Sequence, residues 1–159
     1  MNAFSLISQN VNDTEKFAEK FASALKKRGC TVYFFGDIGV GKTTFIKALA
    51  KSLNVKENVT SPSFVIMNEY HSGDIPIYHF DLYRLENEGL KTIEDEINEY
   101  SDSNNLVLIE WSEFFNLETG DDRINIKISY EENESRKFTF EAFGKNSNQI
   151  LEAFVNDCA

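Results

Sequence analysis

The chain has little of what marks secreted, membrane-spanning or disulfide-rich proteins. It contains two prolines and two cysteines in 159 residues, and Cys30 and Cys158 form no metal-binding or redox spacing. No stretch approaches the roughly 20 apolar residues that a membrane span needs. Residues 1–10 lack the basic start and apolar core of a signal peptide. We therefore expect one globular domain, residues 1–159, in the cytoplasm and with no membrane association.

Positive charge is also scarce, above all in the second half of the chain. The net charge is −10; residues 1–90 hold 10 basic and 10 acidic residues, whereas residues 91–159 hold 6 basic and 16 acidic ones. This imbalance disfavours direct wrapping of nucleic acid, because such binding needs a cationic surface. An acidic face exposed to solvent and an acidic docking face for a basic partner are both consistent with it.

What the chain does have is a glycine-rich loop that fits G-x-x-x-x-G-K-[ST]. Before it, residues 31–35 are β-branched and aromatic, which predicts a buried strand, and residues 44–53 show helical apolar spacing. Strand, loop and helix in this order form the phosphate-binding loop (P-loop) of nucleotide hydrolases, although a plain glycine-rich turn is the alternative. As a P-loop, it would place Lys42 at the β- and γ-phosphates and the Thr43 hydroxyl on Mg²⁺. The motif runs Gly36-Asp37-Ile38-Gly39-Val40-Gly41-Lys42-Thr43.

The order of the elements predicts the fold class. A strand at residues 4–8 precedes a helix that Asn12 and Glu15 would start as a capping box. Strand, helix, strand, P-loop and helix predict an α/β fold of the P-loop NTPase type, with a mixed, largely parallel sheet flanked by helices. Alternating residues on both sides of an acidic turn, at 123–130 and 137–142, add a C-terminal antiparallel hairpin. Helices are expected at 86–100 and 146–155.

Two segments after the P-loop helix carry side chains suited to a γ-phosphate. Residues 60–63 place three hydroxyls around Pro62, which is typical of a switch loop or of a hydroxyl-rich turn. In the predicted strand 77–84, His79 and Asp81 share one face. Asp81 is a candidate for orienting the attacking water or holding the shell of Mg²⁺, with a solvent-facing strand acid as the alternative.

The apolar run at residues 106–109 ends in a carboxylate, Glu110, which is the form of a Walker-B strand. Binding sites of α/β sheets open at the carboxyl ends of their strands, so Glu110 would complete Mg²⁺ binding with Thr43. An ordinary acid at a strand end is the alternative. The single tryptophan, Trp111, follows directly and is interpreted either as core filling or as a lid over the site.

Four segments follow one another along the chain: the P-loop with Thr44-Phe45, Thr60-Ser61-Pro62-Ser63-Phe64, Tyr78-His79-Phe80-Asp81-Leu82-Tyr83-Arg84 and Glu110-Trp111. The P-loop is generic, whereas the second and third segments together are specific. In order and spacing the four segments resemble the TsaE (YjeE) family, and the resemblance covers nearly the whole chain. It implies the ATPase subunit of the bacterial machinery that makes N6-threonylcarbamoyladenosine (t6A) in tRNA. Such a subunit works with ATP and Mg²⁺, with TsaD and TsaB as partners, and meets tRNA only through the complex.

The resemblance also implies roles for single residues. Lys42 and Asp81 would be catalytic, Thr43 and Glu110 would bind the metal, and residues 60–63 would act as a switch loop. Ser63 stands where many relatives have threonine and keeps the hydroxyl. The ATP-binding residues would be Gly36, Asp37, Ile38, Gly39, Val40, Gly41, Lys42, Thr43 and Thr44 at the phosphates, with Thr14 near the adenine and Trp111 near the nucleotide or the partner surface.

Two other functions fit the P-loop as well. A small-molecule kinase needs cations to hold its second substrate, and of the four arginines (Arg28, Arg84, Arg123 and Arg136) only Arg84 lies in a candidate site motif. A non-catalytic adaptor would bind ATP to stabilise a docking shape. Phosphorylated metabolite would indicate the first, and tight ATP binding without partner-stimulated hydrolysis the second.

Overall fold

The structure is a computed structural model, which describes residues 3–26, 28–37, 39–60, 66–85, 89–101, 104–111 and 120–159. Three predictions fall partly outside these residues. They concern Ile38 of the P-loop, residues 61–63 of the expected switch loop and the first turn of the helix expected from residue 86.

Within the described residues the chain forms four α-helices, a short 3-10 turn at Glu132–Glu134 and seven strands. Most bounds agree with the sequence pattern to within two residues. Strand β4 is shorter than predicted and ends at Asp81, and helix α4 ends at Cys158, three residues beyond its predicted end. The elements are β1 Ala3–Ser8, α1 Val11–Leu25, β2 Cys30–Phe35, α2 Lys42–Ser52, β3 Met67–Tyr70, β4 Ile77–Asp81, α3 Leu90–Tyr100, β5 Leu106–Glu110, β6 Arg123–Tyr130, β7 Arg136–Phe143 and α4 Lys145–Cys158.

The strands form one seven-stranded sheet in the order β1-β7-β6-β2-β5-β4-β3. The pairs β6–β2, β2–β5 and β5–β4 are parallel, while β1–β7, β7–β6 and β4–β3 are antiparallel. Because β7 runs opposite to both of its neighbours, β1, β6, β2, β5 and β4 all point in one direction. The predicted fold class is confirmed, including the C-terminal hairpin. The pairing of β1 with β7 at the edge of the sheet was not predicted.

Helix α1 begins with a cap that lies two residues earlier than predicted. The side chain of Asn10 accepts a hydrogen bond from the N–H of Asp13 at 2.9 Å, and the carboxylate of Asp13 accepts one from the N–H of Gln9 at 2.8 Å. The expected box of Asn12 and Glu15 is therefore wrong. Asn10 has the same spacing to its partner and an extended backbone, φ −162° and ψ 176°, which suits a cap. Asn12 already lies inside the helix.

A cluster of phenylalanines fixes the P-loop helix α2 against the sheet. Phe45 of α2 is fully buried. Its ring centroid lies 5.7 to 6.2 Å from those of Phe21, Phe34, Phe138 and Phe140. These partners come from α1, β2 and β7, so α2 is held from three elements. The P-loop thus connects two firmly packed elements, β2 and α2.

A second apolar cluster packs under α3 on the other side of the central strands. It contains Ile93 and Ile97 of the helix with Phe80, Val107 and Ile109 of the sheet. Strands β4 and β5 are consequently buried along their whole length. None of the helices that the described residues form is long and apolar enough to cross a membrane.

Candidate functional site

The P-loop has the backbone that a phosphate cradle needs. Gly36, Gly39 and Gly41 have φ values of 150°, 76° and 119°, a region that favours glycine. A Cβ atom on Gly36 would lie 2.6 Å from the backbone oxygen of Ile128, so β6 also demands glycine there. Gly41 is the N-cap of α2 and makes no side-chain cap. A helix N-terminus without a side-chain cap suits an anion, because its N–H groups and dipole attract negative charge.

Lys42 is held between this loop and Trp111. Its side chain is buried, its Nζ donates a hydrogen bond of 2.6 Å to the carbonyl of Gly36, and Nζ lies 3.4 Å from the centroid of the Trp111 ring. Trp111 has a left-handed backbone, φ 64°, and its ring lies 5.0 Å from that of Tyr83. It is partly buried against the α3 cluster. Trp111 thus combines both interpretations, since it packs on the core and covers the P-loop lysine.

Asp81 and Glu110 lie side by side at the carboxyl ends of adjacent parallel strands. They are register partners on β4 and β5, so their side chains share one face of the sheet. Both are nearly buried, at 4% and 2% exposure, which contradicts the solvent-facing alternative for Asp81. The N–H of Tyr83 donates to Asp81 Oδ1 at 3.0 Å. Glu110 Oε2 lies 2.6 Å from Nε2 of the fully buried His79.

One cavity of about 320 Å³ collects most of the predicted site residues. It brings the P-loop lysine and hydroxyls together with both carboxylates and the tryptophan. Tyr83 and Arg84 also contribute to its wall. The predicted residues that line it are Gly39, Gly41, Lys42, Thr43, Thr44, Asp81, Glu110 and Trp111.

A second cavity of about 710 Å³ lies on the other side of the P-loop and shares Gly39, Gly41 and Thr44 with the first. Thr14 and Val40 line this cavity, so Thr14 is separated from the carboxylates by the loop. The sheet explains this position, because β1 lies on the β7 edge and brings the start of α1 to the P-loop. The two cavities therefore meet the P-loop from opposite sides.

The wall of the second cavity includes residues that the sequence did not indicate. Arg136 donates from Nε to the carbonyl of Val40 at 3.1 Å, and its guanidinium carbon lies 4.4 Å from the Tyr130 ring centroid. Asn133 also lines this cavity. These residues belong to the β6–β7 hairpin and match no motif. Only their position in the predicted fold could have indicated them. A hairpin strand that runs parallel to β2 ends at the same edge of the sheet as the P-loop, so its turn lies near the loop.

Two other predicted residues serve the loop backbone. The carbonyl of Gly36 accepts the hydrogen bond from Lys42 Nζ, and the carbonyl of Asp37 accepts one from the N–H of Val40 at 3.2 Å.

Among the described residues no group of three or more histidine, cysteine, aspartate or glutamate side chains is placed to hold a metal. A divalent metal here would rely on the Asp81–Glu110 pair, the Thr43 hydroxyl and oxygens of a ligand.

Known proteins resemble this chain in fold and in sequence. The family model described as threonylcarbamoyl adenosine biosynthesis protein TsaE matches residues 8–138. The chain belongs to the TsaE family. The matched range contains the P-loop, both carboxylates and Trp111. The resemblance that was based on four sequence segments is thereby confirmed.

Individual TsaE relatives extend the match over most of the chain. The tRNA threonylcarbamoyladenosine biosynthesis protein TsaE of Bacillus subtilis (strain 168) is 35% identical over 144 residues, which cover 90% of this chain and 88% of that protein. The protein of the same name from Nostoc sp. is 37% identical over 127 residues, or 77% and 76% of the two chains. The crystal structure of YdiB from Bacillus subtilis superimposes with a TM-score of 0.81 at 28% identity, covering 99% of this chain and 97% of the other.

Proposed function

We propose that this TsaE protein is an Mg²⁺-dependent ATPase that supports t6A formation in tRNA together with TsaD and TsaB. One observation carries the proposal: Lys42, Thr43, Asp81 and Glu110 line a single cavity at the carboxyl ends of β2, β4 and β5. These four side chains suit phosphoryl transfer, because that reaction relies on positioning the reacting groups and on neutralising the charge of the phosphates.

The P-loop and its two cavities fit a nucleoside triphosphate. The glycine backbone and the start of α2 offer N–H groups to the phosphates. The γ-phosphate would point into the first cavity, towards Lys42 and the carboxylates. The nucleoside would occupy the larger cavity, where Thr14 and the Tyr130–Arg136 pair form the wall. This arrangement supports the adenine-side role proposed for Thr14.

The oxygen groups at the first cavity fit Mg²⁺. That ion keeps several waters and binds through one or two carboxylates together with substrate phosphates. The Thr43 hydroxyl and the Glu110 carboxylate would hold it, and when bound it would offset the charge on the phosphates. Asp81, whose orientation the Tyr83 N–H fixes, would place the water for in-line attack. Lys42 would leave the Gly36 carbonyl to reach the γ-phosphate.

The proposal places the chain in the t6A pathway because its relatives carry that name. TsaD and TsaB as partners, tRNA contact only through their complex and a cytoplasmic location belong to the same proposal. We infer that hydrolysis changes the surroundings of Trp111, which covers the P-loop lysine, and thereby resets the complex between cycles.

Phosphate release from ATP, measured with and without TsaD and TsaB, tests the proposal. We expect the partners to stimulate release from the wild type, and Lys42→Ala and Asp81→Ala to lower the stimulated rate about 100-fold or more. Asp95→Ala on α3 is the matched control, because this carboxylate is 64% exposed and pairs with Lys91. If both site variants keep wild-type turnover, the mechanism must be abandoned. Phosphorylated metabolite would indicate a kinase, and binding without hydrolysis an adaptor.

A further inference from the structure

Glu110, which lines the first cavity, forms a buried pair with His79 behind it. His79 Nε2 and Glu110 Oε2 lie 2.6 Å apart, and the two side chains are 0% and 3% exposed. Because an ionised carboxylate only accepts hydrogen bonds, Nε2 carries the proton and donates it. We propose that His79 is a positioning residue that fixes the Glu110 carboxylate for Mg²⁺. This inference rests on the proposed function.

The pair restricts which oxygen of Glu110 serves the cavity. Hydrogen bonding to His79 engages Oε2, so in this proposal Oε1 is the oxygen that would meet a metal or a metal-bound water. Both residues lie in buried central strands, β4 and β5, so neither backbone can move easily. Replacing a group that orients a metal ligand in this way typically lowers metal affinity or activity 10- to 100-fold.

A purely structural role explains the pair less well. A buried hydrogen-bonded pair can often be replaced by apolar side chains of the same shape with little loss of stability. Moreover, Nδ1 of His79 is buried and has no hydrogen-bond partner among the described residues, and such an atom costs about 1 to 3 kcal/mol. A histidine that leaves one nitrogen unsatisfied is therefore a poor core residue, but its Nε2 holds Glu110, which does line the cavity.

Two substitutions separate the donor from the rest of the side chain. His79→Gln keeps an N–H group at about the reach of Nε2, whereas His79→Asn is one methylene shorter and does not reach Glu110. Calorimetry would measure ADP affinity across a series of Mg²⁺ concentrations and in EDTA. We expect the asparagine variant to need about 10- to 100-fold more Mg²⁺. The glutamine variant should behave like the wild type, and ADP affinity in EDTA should not change in either variant.

The possible outcomes distinguish a failure of the His79 inference from a failure of the proposed ATPase function. An asparagine variant with wild-type Mg²⁺ dependence would overturn the role of His79 and leave the ATPase proposal intact. Equal loss of ADP affinity in EDTA would also overturn it, because that result indicates a packing role. If the wild type itself bound ADP with no effect of Mg²⁺, the proposed function would fail first and this inference with it.

A measurement on the wild-type protein covers the case in which a variant does not fold. The chain has two histidines, and the other one, His71, is 58% exposed. In ¹⁵N-histidine-labelled protein, replacing EDTA by Mg²⁺ in the presence of ADP should shift the nitrogen signals of His79 and leave those of His71 in place. Unchanged His79 signals would refute the positioning role.

Discussion

The contact between Lys42 and Trp111 leads to a prediction about phosphate affinity. A phosphate that takes the Lys42 ammonium must replace its contacts with the Gly36 carbonyl and with the indole ring. Trp111→Leu keeps an apolar side chain and removes the aromatic face. We therefore expect Trp111→Leu to bind inorganic tripolyphosphate more tightly than the wild type. Tripolyphosphate has neither base nor ribose, so any contact of Trp111 with those groups does not enter the comparison.

The size of the effect follows from the burial of the lysine. Cation–π contacts contribute about 0.5 to 1 kcal/mol at exposed sites and about 2 kcal/mol where the cation is desolvated. Lys42 is 5% exposed, and its Nζ lies 3.4 Å from the ring centroid, so roughly 1 to 2 kcal/mol is appropriate. Since 1.4 kcal/mol corresponds to a factor of ten, tripolyphosphate should bind about 5- to 30-fold more tightly.

Calorimetric titration of four proteins with tripolyphosphate isolates the contribution of the Lys42–Trp111 contact. The wild type, Trp111→Leu, Lys42→Met and the double variant form a double-mutant cycle. We expect Trp111→Leu to strengthen binding when Lys42 is present and to have little effect when residue 42 is methionine. Equal or weaker tripolyphosphate binding by Trp111→Leu would refute the idea that the indole competes for the lysine. Similar gains in both backgrounds would refute it as well, because the effect would then not act through Lys42.

Two further predictions concern stability and thiol reactivity. Phe45→Ala should lower the free energy of unfolding by about 3 to 5 kcal/mol in denaturant titrations, because it leaves a cavity at the centre of the phenylalanine cluster. As a control, Phe143→Ala at a 36% exposed position should lower the free energy of unfolding much less. Burial raises the pKa of the Cys30 thiol to about 12. Cys158 is partly exposed, so at pH 8 a thiol reagent should modify Cys158 and should reach Cys30 only after unfolding. Rapid labelling of Cys30 in the native protein would contradict this.

Local patterns account for most of the secondary structure and for the P-loop and Glu110 of the candidate site. The P-loop depends on the spacing of three glycines and a lysine, and the Walker-B carboxylate on an apolar run of four residues. These patterns involve residues that are close in sequence, so they can be recognised without the tertiary structure. The start of α1 shows where a prediction from neighbouring residues fails. Asn10 and Asn12 both offer the same cap spacing, and only the end of β1 at Ser8 selects the first of them.

By itself, the sequence determined the phosphate loop, the strand with Glu110 at its end and the C-terminal hairpin, because each depends on periodicity or turn chemistry among neighbouring residues. The order of the elements along the chain then determined the α/β class. Tertiary structure alone decided that β1 pairs with β7, that Tyr130 and Arg136 stand beside Thr14, and that His79 reaches Glu110. These neighbours come from distant parts of the chain. Their contact depends on which strand edges pair and in which register, and that choice is fixed only when the whole core is buried.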